Sequence, residues 1–181
     1  MMIAASDGPL RILITRQQIA GKVAELAARI SADFTGESVV LIGVLKGATI
    51  FLADLARQIQ LDATFDFIAV ASYGNGMQQS GEVRLVKDVD QSMAGKNVIL
   101  VEDILDTGLT LTYIRKLLQA HRPKSFKIAA LLDKVSRRTE PIQADYVGFV
   151  IPDEFVVGYG LDFAERFRNL PDICVLDSER A

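Results

Sequence analysis

The chemistry of this chain concentrates in residues 101–112, where Glu102 and Asp103 stand side by side and Asp106, Thr107, Gly108 and Thr110 come soon after. A glycine lets backbone approach a ligand. The free amides at a helix start favour an anion there, and the two threonines add hydroxyl donors. Acids beside a phosphate repel it, so the pattern makes sense for a sugar phosphate. Carboxylates accept hydrogen bonds from ribose hydroxyls and hold Mg²⁺ directly or through water. The neutral donors of the loop then take the phosphate. Each residue alone fits a capped helix start or a solvated acid. The whole string, between an apolar strand and a helix, points to a ligand. It is not a Walker loop, which needs Gly-Lys-Thr or Gly-Lys-Ser, nor a dinucleotide fingerprint, which needs three spaced glycines.

The elements that position this string can be read from periodicity. Thr15 can cap a helix over 15–32, with Ile19, Val23, Leu26, Ala27 and Ile30 on one face. Near-continuous apolar runs at 38–45, 97–101 and 126–132 have the pattern of buried parallel strands. Further strands are expected at 63–71, 146–150 and 173–176, with a short edge strand at 83–86. Helices are expected at 49–60 and 109–120, and Pro123 lies just past the second of them. Residues 72–81 are rich in Gly, Ser, Asn and Gln and read as a mobile loop. Alternating strands and helices imply a parallel sheet covered on both faces. Ligands bind such sheets beyond the carboxyl ends of the strands. That rule selects the segments just after Leu45, Val101 and Leu132, and each of them carries charge or glycine.

Composition sets the outer bounds. With 181 residues, half of them apolar, the chain suits one domain with a sizeable core. A net charge of -3 argues against a general nucleic-acid binder. One cysteine, Cys174, excludes an intramolecular disulfide, reads as a small buried hydrophobe and fits the cytoplasm. The first residues lack a signal peptide's pattern, and no apolar run approaches a membrane span. His121, the single histidine, ends a helix and reads as structural or solvated.

The string Val-Glu-Asp-Ile-Leu-Asp-Thr-Gly-Leu-Thr at 101–110 resembles the 5-phosphoribosyl-1-pyrophosphate (PRPP) motif of the type I phosphoribosyltransferases. From about residue 12 to 176 the chain is similar to the branch of that family acting on hypoxanthine, or hypoxanthine and guanine. Asp106 favours this 6-oxopurine branch, because adenine-using relatives typically carry Ala there.

The resemblance implies a twisted, mainly parallel α/β sheet with helices on both faces. A small hood would come from the N- and C-terminal segments. The whole of 1–181 would be one domain, with a core at about 35–150 and the hood at about 1–15 and 151–181. It implies purine salvage: Mg²⁺-assisted transfer of phosphoribosyl from PRPP to a 6-oxopurine base, giving IMP or GMP. Homo-oligomers, dimers or tetramers, are usual.

Residue by residue, Asp106 would be the catalytic base near the purine N7. Glu102 and Asp103 would bind the ribose hydroxyls and Mg²⁺. Residues 106–110, with Leu109 among them, would cradle the 5′-phosphate. Lys46 and Gly47 would meet pyrophosphate, with an unusual peptide geometry implied there. Ser72 and Tyr73 open a loop that would close over the reaction centre. Lys134 would donate to the purine 6-oxo group, since an ammonium has nothing to offer a 6-amino group. In the C-terminal string, Phe155 would stack on the purine and Val156 would offer backbone groups to its edge. Asp162 would hold a second Mg²⁺ and Arg168 would touch pyrophosphate. Two positions depart from the family pattern: Leu109, where some relatives have Lys, and Gly160, which is often Ala.

Two other readings compete. An RNA-binding regulator on the same fold would show a basic surface and lack Asp106, so the acidic balance counts against it. A transferase preferring xanthine differs only at the purine C2 edge, near Phe155 and Asp162, where these residues discriminate poorly.

Overall fold

The computed structural model describes residues 10–72 and 83–176. Strand β1 (Arg11–Ile14) leads into helix α1 (Arg16–Asp33), β2 (Val39–Leu45), α2 (Thr49–Gln58) and β3 (Ala63–Ser72). Next come β4 (Val83–Lys87), β5 (Asn97–Leu105), α3 (Leu109–Ala120), β6 (Ser125–Asp133) and a single 3₁₀ turn at Val135–Arg137. The chain ends through β7 (Tyr146–Val150), β8 (Val156–Val157) and β9 (Ile173–Val175).

Six strands form the main sheet in the order β4-β3-β2-β5-β6-β7. All its pairings are parallel except β3–β4, which puts the expected edge strand at the margin and antiparallel. The period of two along the central strands sorts side chains cleanly. Leu41, Ile99 and Leu131 pack against α1 and α2, while Ile42, Leu100 and Ala130 pack on the side of α3. Both faces are therefore covered, which is why these strands read as unbroken apolar runs. Thr15 caps α1 as expected: its hydroxyl accepts from Gln18 N–H, and Thr15 N–H in turn donates to Gln18 Oε1.

Three differences from the sequence pattern matter. First, β5 does not stop at Val101. It stays in register with β6 through Glu102↔Ala130 and Leu105↔Asp133, so the paired acids lie inside a strand, not in the loop after it. Second, α2 ends at Gln58, two residues early. Third, β1 and β8 were not expected. With β9 they form a three-stranded antiparallel sheet, β1-β9-β8, whose strands are too short to show a period. Cys174 is buried in the small cluster around that sheet, with Val157, Leu170 and Leu176. Among the described residues, no helix is long and apolar enough to cross a membrane.

Candidate active site

β5 delivers Glu102 and Asp103 at its carboxyl half, both buried. Ile104 N–H donates to Asp103 Oδ1 at 2.8 Å, while Glu102 Oε2 has no partner among the described residues. Burial pushes the Glu102 carboxyl well above the usual carboxylate range, and the adjacent Asp103 pushes it further. Burial lifts Asp103 to about 6, against the Ile104 bond and the charge of Arg168. Two desolvated acids with an unsatisfied oxygen retain capacity to accept from hydroxyl donors or to ligate a cation.

Past β5, Gly108 takes φ +91 and starts α3. A Cβ there would meet Ile142 Cγ2 at 2.6 Å, so both the backbone and the packing require glycine. The first bond of the helix runs from Thr112 N–H to Gly108 O, which leaves the preceding amides of the turn, at 109–111, free of intrahelical acceptors. Thr107, Leu109 and Thr110, the residues expected to cradle an anion, belong to this turn, and Leu109 N–H lies 3.5 Å from Thr107 Oγ1. Thr107 O accepts from Thr139 N–H (3.0 Å) and Glu140 N–H (3.1 Å). The Arg138 guanidinium donates to Asp106 O at 2.9 Å, to Leu105 O at 3.2 Å and to Ile142 O at 2.6 Å, and it pairs with Asp133. The segment after β6 thus clamps the loop after β5. The partial burial of Arg138 comes from packing between the two loops, which no local pattern records.

A cavity of about 400 Å³ opens beside this loop. Six expected residues line it: Asp103, Asp106, Lys134, Phe155, Val156 and Asp162. Lys134 is only 7% exposed, a burial that an ammonium tolerates only with acceptors at hand. Phe155 is 40% exposed, and its ring meets Phe163 edge-on at 5.7 Å, which holds it upright with a free face. The bond from Leu176 N–H to Phe155 O fixes the β8–β9 alternation, so Val156 and Val175 form a non-hydrogen-bonded pair. The N–H and C=O of Val156 therefore point to the open edge of the small sheet. Four further residues line the cavity and were missed: Ile104 and Leu161 as apolar wall, Arg137 and Asp153 as charge.

The remaining expected residues flank the cavity. The Leu45–Lys46 peptide is cis, the unusual geometry implied at this place. Lys46 Nζ pairs with Glu165 at 2.8 Å. Arg168 holds Asp162 Oδ1 at 2.7 Å and Gly160 O at 2.8 Å, and its Nε is buried without a partner among the described residues. A Cβ on Gly47 would lie 1.7 Å from Asp103 Oδ2, so this glycine makes room for the acid itself. Gly160, at φ +103, sits so close over Gly47 that its Cβ would fall 2.1 Å from Gly47 O. The C-terminal segment is further tied to α2 by Tyr159, whose hydroxyl donates to Asp54 at 2.6 Å and whose own ionisation is pushed up by burial. Glu102 sits behind Asp103 and off the cavity wall. Ser72 ends β3, and Tyr73 with the rest of the expected closing loop lies outside the described residues. No three acidic, His or Cys side chains among the described residues converge into a metal cage.

The model of the phosphoribosyl transferase domain matches residues 13–164, and the chain belongs to that family. It is 49% identical to the hypoxanthine-guanine phosphoribosyltransferase of Bacillus subtilis, with 92% of each chain covered. It is 43% identical to the hypoxanthine phosphoribosyltransferase of Escherichia coli, covering 91% of this chain and 93% of that one. A crystal structure of a hypoxanthine-guanine phosphoribosyltransferase from Bacillus anthracis superposes with a TM-score of 0.88 at 52% identity, over 92% of this chain and 98% of the other. The bifunctional protein TilS/HprT of Listeria innocua is 47% identical, but the chain spans only 26% of its length.

Proposed function

We propose that this protein transfers the 5-phosphoribosyl group of PRPP to hypoxanthine and guanine, forming IMP or GMP and pyrophosphate. The observation that carries the reading is the cavity that joins Asp106, Lys134 and Phe155 beside the amide-rich turn at α3. The purine lies against Phe155, with its edge toward the backbone of Val156. Lys134 donates to the 6-oxo group. A base with a 6-amino group presents a donor where this ammonium needs an acceptor from the ligand, which disfavours adenine.

The 5′-phosphate sits on the turn of 106–110, and the ribose hydroxyls donate to Glu102 and Asp103. As the purine N9 bonds to ribose C1, the bond from C1 to the pyrophosphate oxygen breaks. The N7 proton passes to the Asp106 carboxylate. The positive charge developing on the sugar is stabilised by the nearby acids. Lys46, Gly47 and Arg168 face the departing pyrophosphate. Ser72 and Tyr73 open the segment that excludes water.

The residues present fit Mg²⁺. The partnerless Glu102 Oε2 beside Asp103 offers hard oxygen ligands, with Asp162 as a second point of attachment. Mg²⁺ typically binds one or two carboxylates together with substrate phosphates, so a protein cage is not required. When bound, it supplies charge that offsets the pyrophosphate. The reading treats the chain as one domain with a core at about 35–150, hooded by the terminal segments. Dimers or tetramers acting in the cytoplasm complete it.

The test is a substrate panel with PRPP and Mg²⁺ and each of hypoxanthine, guanine, xanthine, adenine and uracil. Nucleotide is expected from hypoxanthine and guanine, with activity lost in EDTA and restored by excess Mg²⁺. If neither 6-oxopurine gives nucleotide, the reading is wrong.

A further inference from the structure

Four charged side chains run in alternating sign along the cavity wall. Lys134 Nζ lies 3.8 Å from Asp153 Oδ1, and Asp153 Oδ2 lies 3.7 Å from Arg137 Nη1. Arg137 Nε then donates to Asp106 Oδ1 at 3.2 Å. All four line the same cavity. The two ends are the groups assigned above to the purine O6 and N7. The two middle residues have no role in that reaction so far.

Lys134 and Asp106 carry opposite charges and face one cavity. Without counter-ions of their own they would attract each other across it. Such a pair would leave neither group free for the base. The observed order gives each end a separate partner: Asp153 for the ammonium, Arg137 for the carboxylate. The backbone supports this arrangement, because Arg137 N–H donates to Lys134 O at 3.1 Å within the 3₁₀ turn, and Arg138 holds the carbonyl of Asp106 from its other side.

We infer that Arg137 and Asp153 are positioning residues that hold Lys134 and Asp106 apart and so set the affinity for the purine base. The inference rests on the function proposed above. It concerns one edge of one substrate, which separates it from a general structural role. Pairs this exposed, with Arg137 and Asp153 about half open to solvent, contribute little to folding, so the variants are expected to fold.

Turnover of hypoxanthine by the unaltered protein tests the underlying function and is measured first. Arg137→Gln, Asp153→Asn, the double variant and Arg137→Lys then test the inference by steady-state kinetics. The KM for hypoxanthine is expected to rise about three- to tenfold in each single variant, and the double variant should show less than the product of the two. The KM for PRPP is expected to stay within about twofold, and Arg137→Lys should recover most of the lost affinity. Equal rises in both KM values would overturn the inference in favour of a structural role. An unchanged hypoxanthine KM, or fully independent effects in the double variant, would overturn it as well.

Discussion

Replacing Asp103 by asparagine should make the ligand-free protein more stable while removing function. Burial raises the Asp103 carboxyl from 3.8 to about 6. The folded state therefore favours the protonated acid, and ionisation at higher pH works against folding. Below the unfolded value of 3.8, both states hold the proton and no penalty exists. The penalty grows as pH rises through about 6 and is complete above it. At about 1.4 kcal/mol per pH unit, the rise corresponds to about 3 kcal/mol at pH 8. Asp103→Asn removes the charge at every pH. Its carbonyl can keep the bond from Ile104 N–H, now 2.8 Å long, and its amide can donate to a Glu102 carboxyl oxygen. Roughly 2–4 °C per kcal/mol for a chain of this size gives an upper limit of about 12 °C in melting temperature. Thermal and urea unfolding at pH 4.5, 6 and 8, without Mg²⁺, measures the gap directly. The variant should gain several degrees at pH 8 and about a third as much at pH 4.5, where the unfolded acid is already mostly ionised. Equal or lower stability at pH 8, or a gap that does not depend on pH, would refute the reasoning.

Two further substitutions probe the loop and its neighbouring segment. Asp106→Asn should lower kcat by about 10²- to 10⁴-fold, because the amide cannot take the N7 proton, while PRPP affinity stays near that of the unaltered protein. Loss of PRPP binding with an intact chemical step would move Asp106 from base to ligand. Gly160→Ala should destabilise the fold by about 1–3 kcal/mol, since φ is +103 and the new Cβ would meet Gly47 O at 2.1 Å. Urea denaturation reads this, and a neutral result would show that the two segments are not in close contact.

The main sheet was legible because its strands are buried on both faces. Val98, Ile99 and Leu100 give an apolar run that admits little else, and Thr15 with Gln18 marks a helix start by local chemistry alone. The small sheet was not legible. Val156 and Val157 form a strand because β9 lies beside them, and β9 is about 17 residues further along the chain. The end of β5 failed for the opposite reason. Glu102 and Asp103 look like loop residues by composition, yet the ladder to β6 keeps them extended. In the candidate site, the motif residues stand out because their types in that order are unusual in sequence. Arg137, Arg138 and Asp153 were passed over because charged residues after a strand are ordinary. Only the tertiary fold shows that Arg138 is partly buried and that the other two face the cavity.

The site divides its polar groups into two sets, and the division indicates where ligand binding does its work. Lys134, Asp153, Arg137 and Asp106 have partners within the protein, at distances of 3.2 to 3.8 Å, and need no substrate to stay in place. Glu102 Oε2 and Arg168 Nε are buried and have none among the described residues. An unmet buried polar atom costs roughly 1–3 kcal/mol, and this is recovered only when something arrives to satisfy it. These two atoms are on the acid assigned to the sugar and cation and the base assigned to pyrophosphate, both in the PRPP half of the site; Thr112 Oγ1 and Glu154 Oε2, also without partners among the described residues, belong to side chains that do not line the cavity. The purine half is already neutralised by its own charges. Binding should therefore be driven by PRPP with its cation, with the base entering a cavity whose polar wall is set beforehand. PRPP with Mg²⁺ should then raise the melting temperature far more than hypoxanthine alone, and a larger shift from the free base would show that the purine half carries the unmet groups instead.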